Sequence, residues 1–441
     1  MAKDERWRRN GGIYFGYGTD RSEGSEPPGA PNRLLRYADD RHIITIGPNG
    51  SGKSRRLLLP NLAALTEWSI LVVDPKGDLA AMTREHREKA GSKVIVLNPF
   101  GVFGIRSDGF NPLSVLNPEA EDEEFADDAM GLAESLIRVE GREPHFSQSA
   151  QELVCALIMY AKLILEDQAS LVDVRTMLAQ KSTSLRDMVT DKYVEFEGHK
   201  VLGMIEAGEK HDCPELVAKA SRFADIGPEN RELSSVISTA LTQTRWLDSR
   251  PIKKDIARSE HDFGKMKEEP WTVYLILPAR RVVTHSTWLR LMITSVMQPL
   301  MKDTRKAKVP VLLMLDEFAQ LGHLPAIEQN IGLMRQYGLK LWAVLQDLSQ
   351  AKHIYEERWE SFLANAGVIH SFAPQDVFTA NHISQLANGT IAPATLRHMD
   401  DGFGIVMSHK LKGRLFSYSP YPDDVPELKD IMALDPAEAL V

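Results

Sequence analysis

Gly47-Pro48-Asn49-Gly50-Ser51-Gly52-Lys53-Ser54 combines glycines, a lysine and a hydroxyl in the spacing G-x-x-x-x-G-K-S. A triphosphate presents several anionic oxygens, which need many donors and a divalent cation. This pattern supplies both: backbone N–H groups turn inward, and Gly47, Gly50 and Gly52 leave room that side chains would obstruct. Lys53 is placed to reach the β- and γ-phosphates, and the Ser54 hydroxyl to ligate Mg2+. Far downstream, Val311-Leu312-Leu313-Met314-Leu315 runs into Asp316-Glu317. The apolar run predicts a buried parallel strand, and its carboxylates would then face a ligand at the strand's C-terminal edge. Asp316 is expected to hold the magnesium shell through water, and Glu317 to polarise the attacking water as general base. Together the two motifs predict an Mg2+-dependent ATPase.

Three further features stand at predicted strand ends. Asp74-Pro75-Lys76-Gly77-Asp78 either borders the nucleotide or forms a plain turn. Gln346 either senses the γ-phosphate and orients water or simply caps its strand. Arg335, on the segment after the acidic pair, reads in isolation as a solvated arginine.

These residues need elements to hold them. From Arg41 onward, short apolar runs alternate with helical stretches, which predicts an α/β sheet. Strands are expected at His42–Ile46, Ile70–Val73, Val94–Leu97, Thr272–Leu277, Val311–Leu315, Leu341–Leu345, Val368–Phe372 and Gly404–Ser408, with a short one within Gly12–Tyr17. Between the two blocks the period changes. Phe125, Ala129, Leu132, Leu136 and Val139 recur at helical spacing behind the acidic start Glu121 to Glu124. Helices are also expected over Gln148–Leu165 and over Leu171–Ala179, with Ser170 as N-cap. The predicted architecture is an α/β P-loop NTPase with a mostly parallel central sheet and an inserted all-α domain. Its divisions are residues 1–32 (arm and linker), 33–117 (nucleotide-binding domain, first part), 118–255 (all-α domain) and 256–441 (second part and tail).

Composition narrows the partners. The 441 residues carry a formal net charge of −9, so any DNA contact should be a local stripe or channel. Arg280-Arg281 and Lys302–Lys308 are the candidates, although such clusters are commonly solvated loops. Cys155 and Cys213 belong to no close Cys/His cluster, so a zinc site is not expected and free buried thiols are. The richest apolar stretch, Leu153–Leu165, is broken by Lys162 and falls short of the roughly 20 residues a membrane span needs. The basic start, Met1 to Asn10, lacks the apolar region of a signal peptide.

The ordered motifs make the chain similar to a known family. Gly-Pro-Asn-Gly-Ser-Gly-Lys-Ser is followed by Leu59-Pro60-Asn61-Leu62, Val72-Val73-Asp74-Pro75-Lys76-Gly77-Asp78 and Val96-Leu97-Asn98-Pro99-Phe100. Next come Phe110-Asn111-Pro112-Leu113, Leu315-Asp316-Glu317-Phe318, Gln346-Asp347, Asn365-Ala366-Gly367-Val368 and Pro420-Tyr421. In this order they resemble the TraG/TraD-type coupling proteins of conjugation and type IV secretion, over essentially Arg41 to Asp423. The resemblance implies a RecA-like nucleotide-binding domain with an inserted all-α domain, working as a ring hexamer that recruits a DNA–relaxase, effector or adaptor substrate to the channel and drives transfer with ATP. It also implies that Arg335 completes a neighbouring subunit's site and that Gln346 senses nucleotide. The location it implies is the cytoplasmic face of the bacterial inner membrane. The family usually carries N-terminal transmembrane helices; with none in this sequence, attachment is expected through partners or through an anchor removed from it. A second reading is an ATP-dependent assembling receptor that recruits effectors without pumping DNA. The Asp316-Glu317 pair favours the motor. A free DNA pump of the chromosome-segregation kind is disfavoured by the motifs around Asp74 and Asn111.

Overall fold

The computed structural model describes residues 12–19, 34–119, 124–139, 144–180, 182–224, 231–258, 261–408 and 413–421. The arm before residue 12, most of the Gly18–Asn32 linker, Glu121–Glu123 and the tail beyond Tyr421 lie outside them. The chain divides into two compact units, one of residues 1–106, 264–283 and 300–441, the other of 107–263 and 284–299.

The first unit is built on one sheet. In chain order its strands are β1 (Ile13–Thr19), β2 (Leu34–Tyr37), β3 (His42–Ile46), β4 (Ser69–Asp74) and β5 (Lys93–Leu97). After the second unit's hairpin, β6 (Tyr193–Phe196) and β7 (His199–Leu202), come β8 (Trp271–Ile276), β9 (Val311–Leu315), β10 (Leu339–Leu345), β11 (Ala366–Phe372), β12 (Phe403–Ser408) and β13 (Gly413–Tyr418). Among the described residues the sheet has eleven strands in the order β2-β1-β13-β12-β11-β3-β10-β9-β4-β8-β5. Strands β11 through β5 in that order are all parallel to their neighbours, and the remaining pairings are antiparallel.

Burial explains the parallel block. Every residue of β3, β4, β8, β9 and β10 is buried, as expected where helices cover both faces and the strand reads as a continuous apolar run. One face packs Ile43, Ile70, Val72, Leu312, Met314, Trp342 and Val344 against Leu57, Leu58 and Leu62 of the helix that follows β3. Each such side chain contributes on the order of 1.5–3 kcal/mol. Trp342 Nε1 donates to Thr45 Oγ1 at 2.9 Å, so the one polar atom of that ring is satisfied between β10 and β3.

Several motif asparagines prove to be backbone pins. Asn61 Oδ1 accepts from Tyr14 N at 2.7 Å, and its Nδ2 donates to the oxygens of Tyr14 and Leu57. It thereby serves both backbone groups of Tyr14, where the β1–β2 pairing slips register. Asn98 Nδ2 donates to the carbonyls of Val102 and Ile105, closing the loop after β5. Without such partners these buried backbone groups would each cost free energy.

The second unit is mainly helical. Phe125–Leu136, Pro144–Leu165, Leu171–Leu178, Ser182–Thr190, Pro214–Ala224 and Arg231–Thr244 are among its helices. Ser170 caps Leu171–Leu178 through a capping box with Asp173. Asn111 Oδ1 caps the turn Pro112–Val115 while its Nδ2 donates to Ala169 O at 2.6 Å. Two differences from the expected all-α domain at 118–255 emerge. The unit contains the antiparallel hairpin β6–β7, and it takes in residues 284–299, the middle of the helix Ala279–Lys302. Pro144–Leu165 begins earlier than expected. With its continuation to Gln168 it is long and apolar enough, by length and composition, to cross a membrane, yet 72% of its apolar window is buried inside the protein.

Candidate nucleotide-binding site

Parallel strands end together. The C-terminal edge of β3 carries Gly47–Ser54, that of β9 carries Asp316-Glu317, and that of β10, hydrogen-bonded to both, carries Gln346. Adjacent strands stand roughly 4.8 Å apart, so the loop and the acids face each other across one strand's width.

The loop is set by its backbone. Gly47 N donates to Leu345 O at 2.9 Å, fastening the loop to β10. Gly50 and Gly52 take φ of +82° and +78°, the left-handed region that favours glycine. Lys53 opens a wide helical turn, Lys53–Leu58, that continues as Leu59–Ala64. Its Nζ curls over the loop, donating to Gly47 O at 2.6 Å and Pro48 O at 3.3 Å. Burial lowers the Lys53 pKa, against the pull of Glu317 and Asp316, while Lys76 lowers it further. Ser51 Oγ is buried with no partner among the described residues.

Ser54 Oγ donates to Asp316 Oδ2 at 3.0 Å, and Glu317 N donates to Asp316 Oδ1 at 3.0 Å. Burial raises the Asp316 pKa, and the neighbouring Glu317 carboxylate raises it again. A buried carboxylate beside a hydroxyl, with a second, half-buried carboxylate next in the chain, is a donor set a hard divalent cation takes up. The orphaned Ser51 hydroxyl and the glycine-lined cradle fit an anionic ligand on the loop. The residues present therefore fit a magnesium nucleotide.

Glu317 stands at φ +52°, uncommon for a residue with a side chain. Phe318 anchors the turn behind it, stacking at 5.8 Å on Tyr355 and meeting Phe362 edge-on at 5.7 Å. Gln346 Nε2 donates to Glu317 Oε2 at 2.6 Å. Gln320 Nε2 donates to the same oxygen at 3.1 Å, a contact that sequence reading missed, since a glutamine one turn past an acid carries no signal of its own.

Other expectations resolve differently. Asp74 is buried and accepts from Gly77 N at 2.8 Å and Ala80 N at 2.9 Å, so its oxygens cap the helix Asp78–Lys89. Burial pushes its pKa up to about 7. The plain-turn reading describes Asp74 itself, although Lys76 is exposed and acts electrostatically on Lys53. Asp347 caps Leu348–Tyr355 through Gln350 N at 2.9 Å. Arg335 is not brought to the loop. It lies in the turn Met334–Tyr337 before β10, at the opposite edge of the sheet, about 20 Å away by strand length. There its Nε pairs with Asp40 Oδ2 at 3.2 Å, beside an open pocket of about 260 Å³ shared with Arg41, His42 and Asn365. Of the basic clusters, Arg281 lies over the Phe100 ring at 5.6 Å, and Arg305 pairs with Asp303 and Glu268.

A phosphate loop on one parallel strand, an acidic pair on the next strand but one and a polar strand end between them define a RecA-like P-loop nucleotide-binding fold. The family model described as Type IV secretory system Conjugative DNA transfer matches residues 5–395. The chain belongs to that family. The conjugal transfer protein TraG of Escherichia coli is 26% identical over 379 residues, 81% of this chain and 56% of that protein. Protein VirD4 of Agrobacterium fabrum is 23% identical over 365 residues, 80% of this chain and 50% of that protein. The chain thus spans little more than half the length of these relatives. The solved structure of the plasmid coupling protein TrwB in complex with ADP and Mg2+ superposes with a TM-score of 0.61 at 16% identity, covering 87% of this chain and 86% of that one. At that identity the likeness establishes the fold.

Proposed function

We propose that this chain is the ATPase of a coupling protein, which recruits a DNA–relaxase or protein substrate to a type IV secretion or conjugation channel and drives its transfer by hydrolysing ATP. The observation that carries the reading is the meeting of Ser54 with Asp316, and of Gln346 with Glu317, at one sheet edge. Family membership and the names of TraG, VirD4 and TrwB support the destination of the work.

The chemistry follows from the groups in place. Lys53 exchanges its carbonyl partners Gly47 and Pro48 for phosphate oxygens, while the loop N–H groups of Gly47–Ser54 hold the remaining charge. A magnesium ion supplies charge neutralisation and a rigid template for the phosphates. Ser54 and Asp316, already in contact with each other, would hold that ion, the hydroxyl as a ligand and the carboxylate through its water shell. Glu317, held by Gln346 and Gln320, takes a proton from water as the water oxygen bonds to the γ-phosphorus and the bond to the departing diphosphate breaks. Gln346 touches the base and stands beside the loop, so it is suited to report which nucleotide is bound. Arg335, at the wrong edge for its own loop, acts on the loop of a neighbouring copy in a ring, as a hexamer allows; such an arginine is worth about 10³ to 10⁵ in rate. The ring sits at the cytoplasmic face of the inner membrane, held by channel components or by an anchor outside this sequence.

The test is ATP turnover of the purified chain, with and without single-stranded and double-stranded DNA. Lys53→Ala should abolish tight ATP binding and turnover; unchanged affinity in a calorimetric titration overturns the site. Absent DNA stimulation, with transfer intact in Glu317→Gln, would favour a receptor that only assembles on ATP.

A further inference from the structure

Arg56 lies one turn past Lys53 and is only 3% exposed. A guanidinium cannot give up its charge in a protein, so burying one is costly unless its donors are met. Its Nη1 donates to Ser419 O at 2.7 Å and its Nη2 pairs with Asp401, while Nε is buried with no partner among the described residues. The guanidinium carbon stands 3.5 Å from the centre of the Tyr421 ring, a cation–π contact. On the other side, Arg56 N donates to Gly52 O at 2.7 Å.

The stem runs between two glycines. A Cβ at Gly52 would come within 2.7 Å of Arg56 Cδ, and one at Gly402 would collide with the guanidinium. Both glycines have positive φ, +78° and +80°. Gly52 is thus doubly constrained: its φ shapes the phosphate loop, and its missing side chain lets Arg56 pass behind it. The last glycine of the loop, bonded to the Arg56 backbone and packed against its stem, is thereby linked through one residue to the turn before β12 and to the segment after β13.

We propose that Arg56 is a positioning residue for the phosphate loop, presetting its N–H groups for nucleotide by locking Gly52 to Asp401, Ser419 and Tyr421. The proposal rests on the nucleotide-site reading above and extends it to residues outside the pocket. Pinning a loop before the ligand arrives lowers the ordering cost of binding, so loosening the clamp weakens nucleotide affinity. The same linkage makes the turn at Asp401 a lever on the nucleotide site.

The experiment is calorimetric titration of a non-hydrolysable ATP analogue with Mg2+, alongside steady-state kinetics and thermal unfolding of the nucleotide-free protein. Arg56→Ala should raise the Kd and KM for ATP about tenfold while kcat changes little. Arg56→Lys, keeping charge but not the fork, should fall between it and the parent. Asp401→Asn, at a site whose side chain is 63% exposed, and Tyr421→Ala should each weaken binding severalfold with the unfolding midpoint little moved. A folded Arg56→Ala protein with parental Kd overturns the proposal, as does a loss accounted for entirely by a smaller folded fraction. Should Arg56→Ala not fold, parental affinity in both Asp401→Asn and Tyr421→Ala overturns it instead. Lys53→Ala is the control: if it too binds normally, the nucleotide site itself is wrong, not merely the clamp.

Discussion

Ser54 Oγ and Asp316 Oδ2 are 262 positions apart in the chain and 3.0 Å apart in space. Neither residue is near the other through local structure. The contact exists because β3 and β9 flank β10 in one parallel sheet and end at the same edge. Asp316→Asn should therefore weaken ATP binding about 10- to 100-fold in Mg2+ and leave binding in EDTA unchanged. Calorimetry under the two conditions checks this; an equal loss in both would make Asp316 a packing residue.

The Glu317 carboxylate receives two side-chain amides, from Gln346 and Gln320. Glu317→Gln should keep nucleotide binding and lower kcat by about 10² to 10⁴. Gln346→Ala should lower kcat by about tenfold with KM unchanged, because it orients the base rather than binding the phosphates. Steady-state kinetics of both variants decide between these roles, and a shift in KM alone would assign Gln346 to binding.

Arg335 and Lys53 occupy opposite edges of the same sheet. Arg335→Ala and Glu317→Gln proteins should each be nearly inactive alone, yet regain part of the ATPase activity when mixed. In a mixed ring, the arginine of one variant meets the intact acid of the other. Activity that never rises above the two separate proteins would rule out action in trans.

His370 is fully buried beside Phe15 and Phe372, and burial pushes its pKa down from 6.5 to about 3. The folded chain thus keeps the imidazole neutral where the unfolded chain protonates it. As pH falls from 6.5 toward 3, the unfolded state binds the extra proton and stability declines, by up to about 1.4 kcal/mol per pH unit from this group. His370→Leu should flatten that decline in chemical denaturation measured across this range. An unchanged slope would show that other groups carry the acid sensitivity.

Much of this was readable in residue order. The phosphate loop and the acidic strand are local patterns: a strand, a turn that needs glycine, and a helix follow one another within a few residues, and an apolar run announces a strand buried on both faces. Hence β3, β4 and β9, with the loop at the end of β3 and the acids at the end of β9, are legible in the sequence alone. Short strands escaped for the converse reason. Tyr193–Phe196, His199–Leu202 and Leu34–Tyr37 each span only four residues, and of the first two only Phe196 is buried, so none carries a long apolar signature. Strand neighbourhood is a long-range property, set by which faces pack and which edges pair. It alone put β10 between β3 and β9, delivered Gln346 to Glu317, carried Arg335 to the far edge, decided between the two readings of Asp74 by making it a helix cap, and led Tyr421 back across the sheet to the arginine behind the phosphate loop.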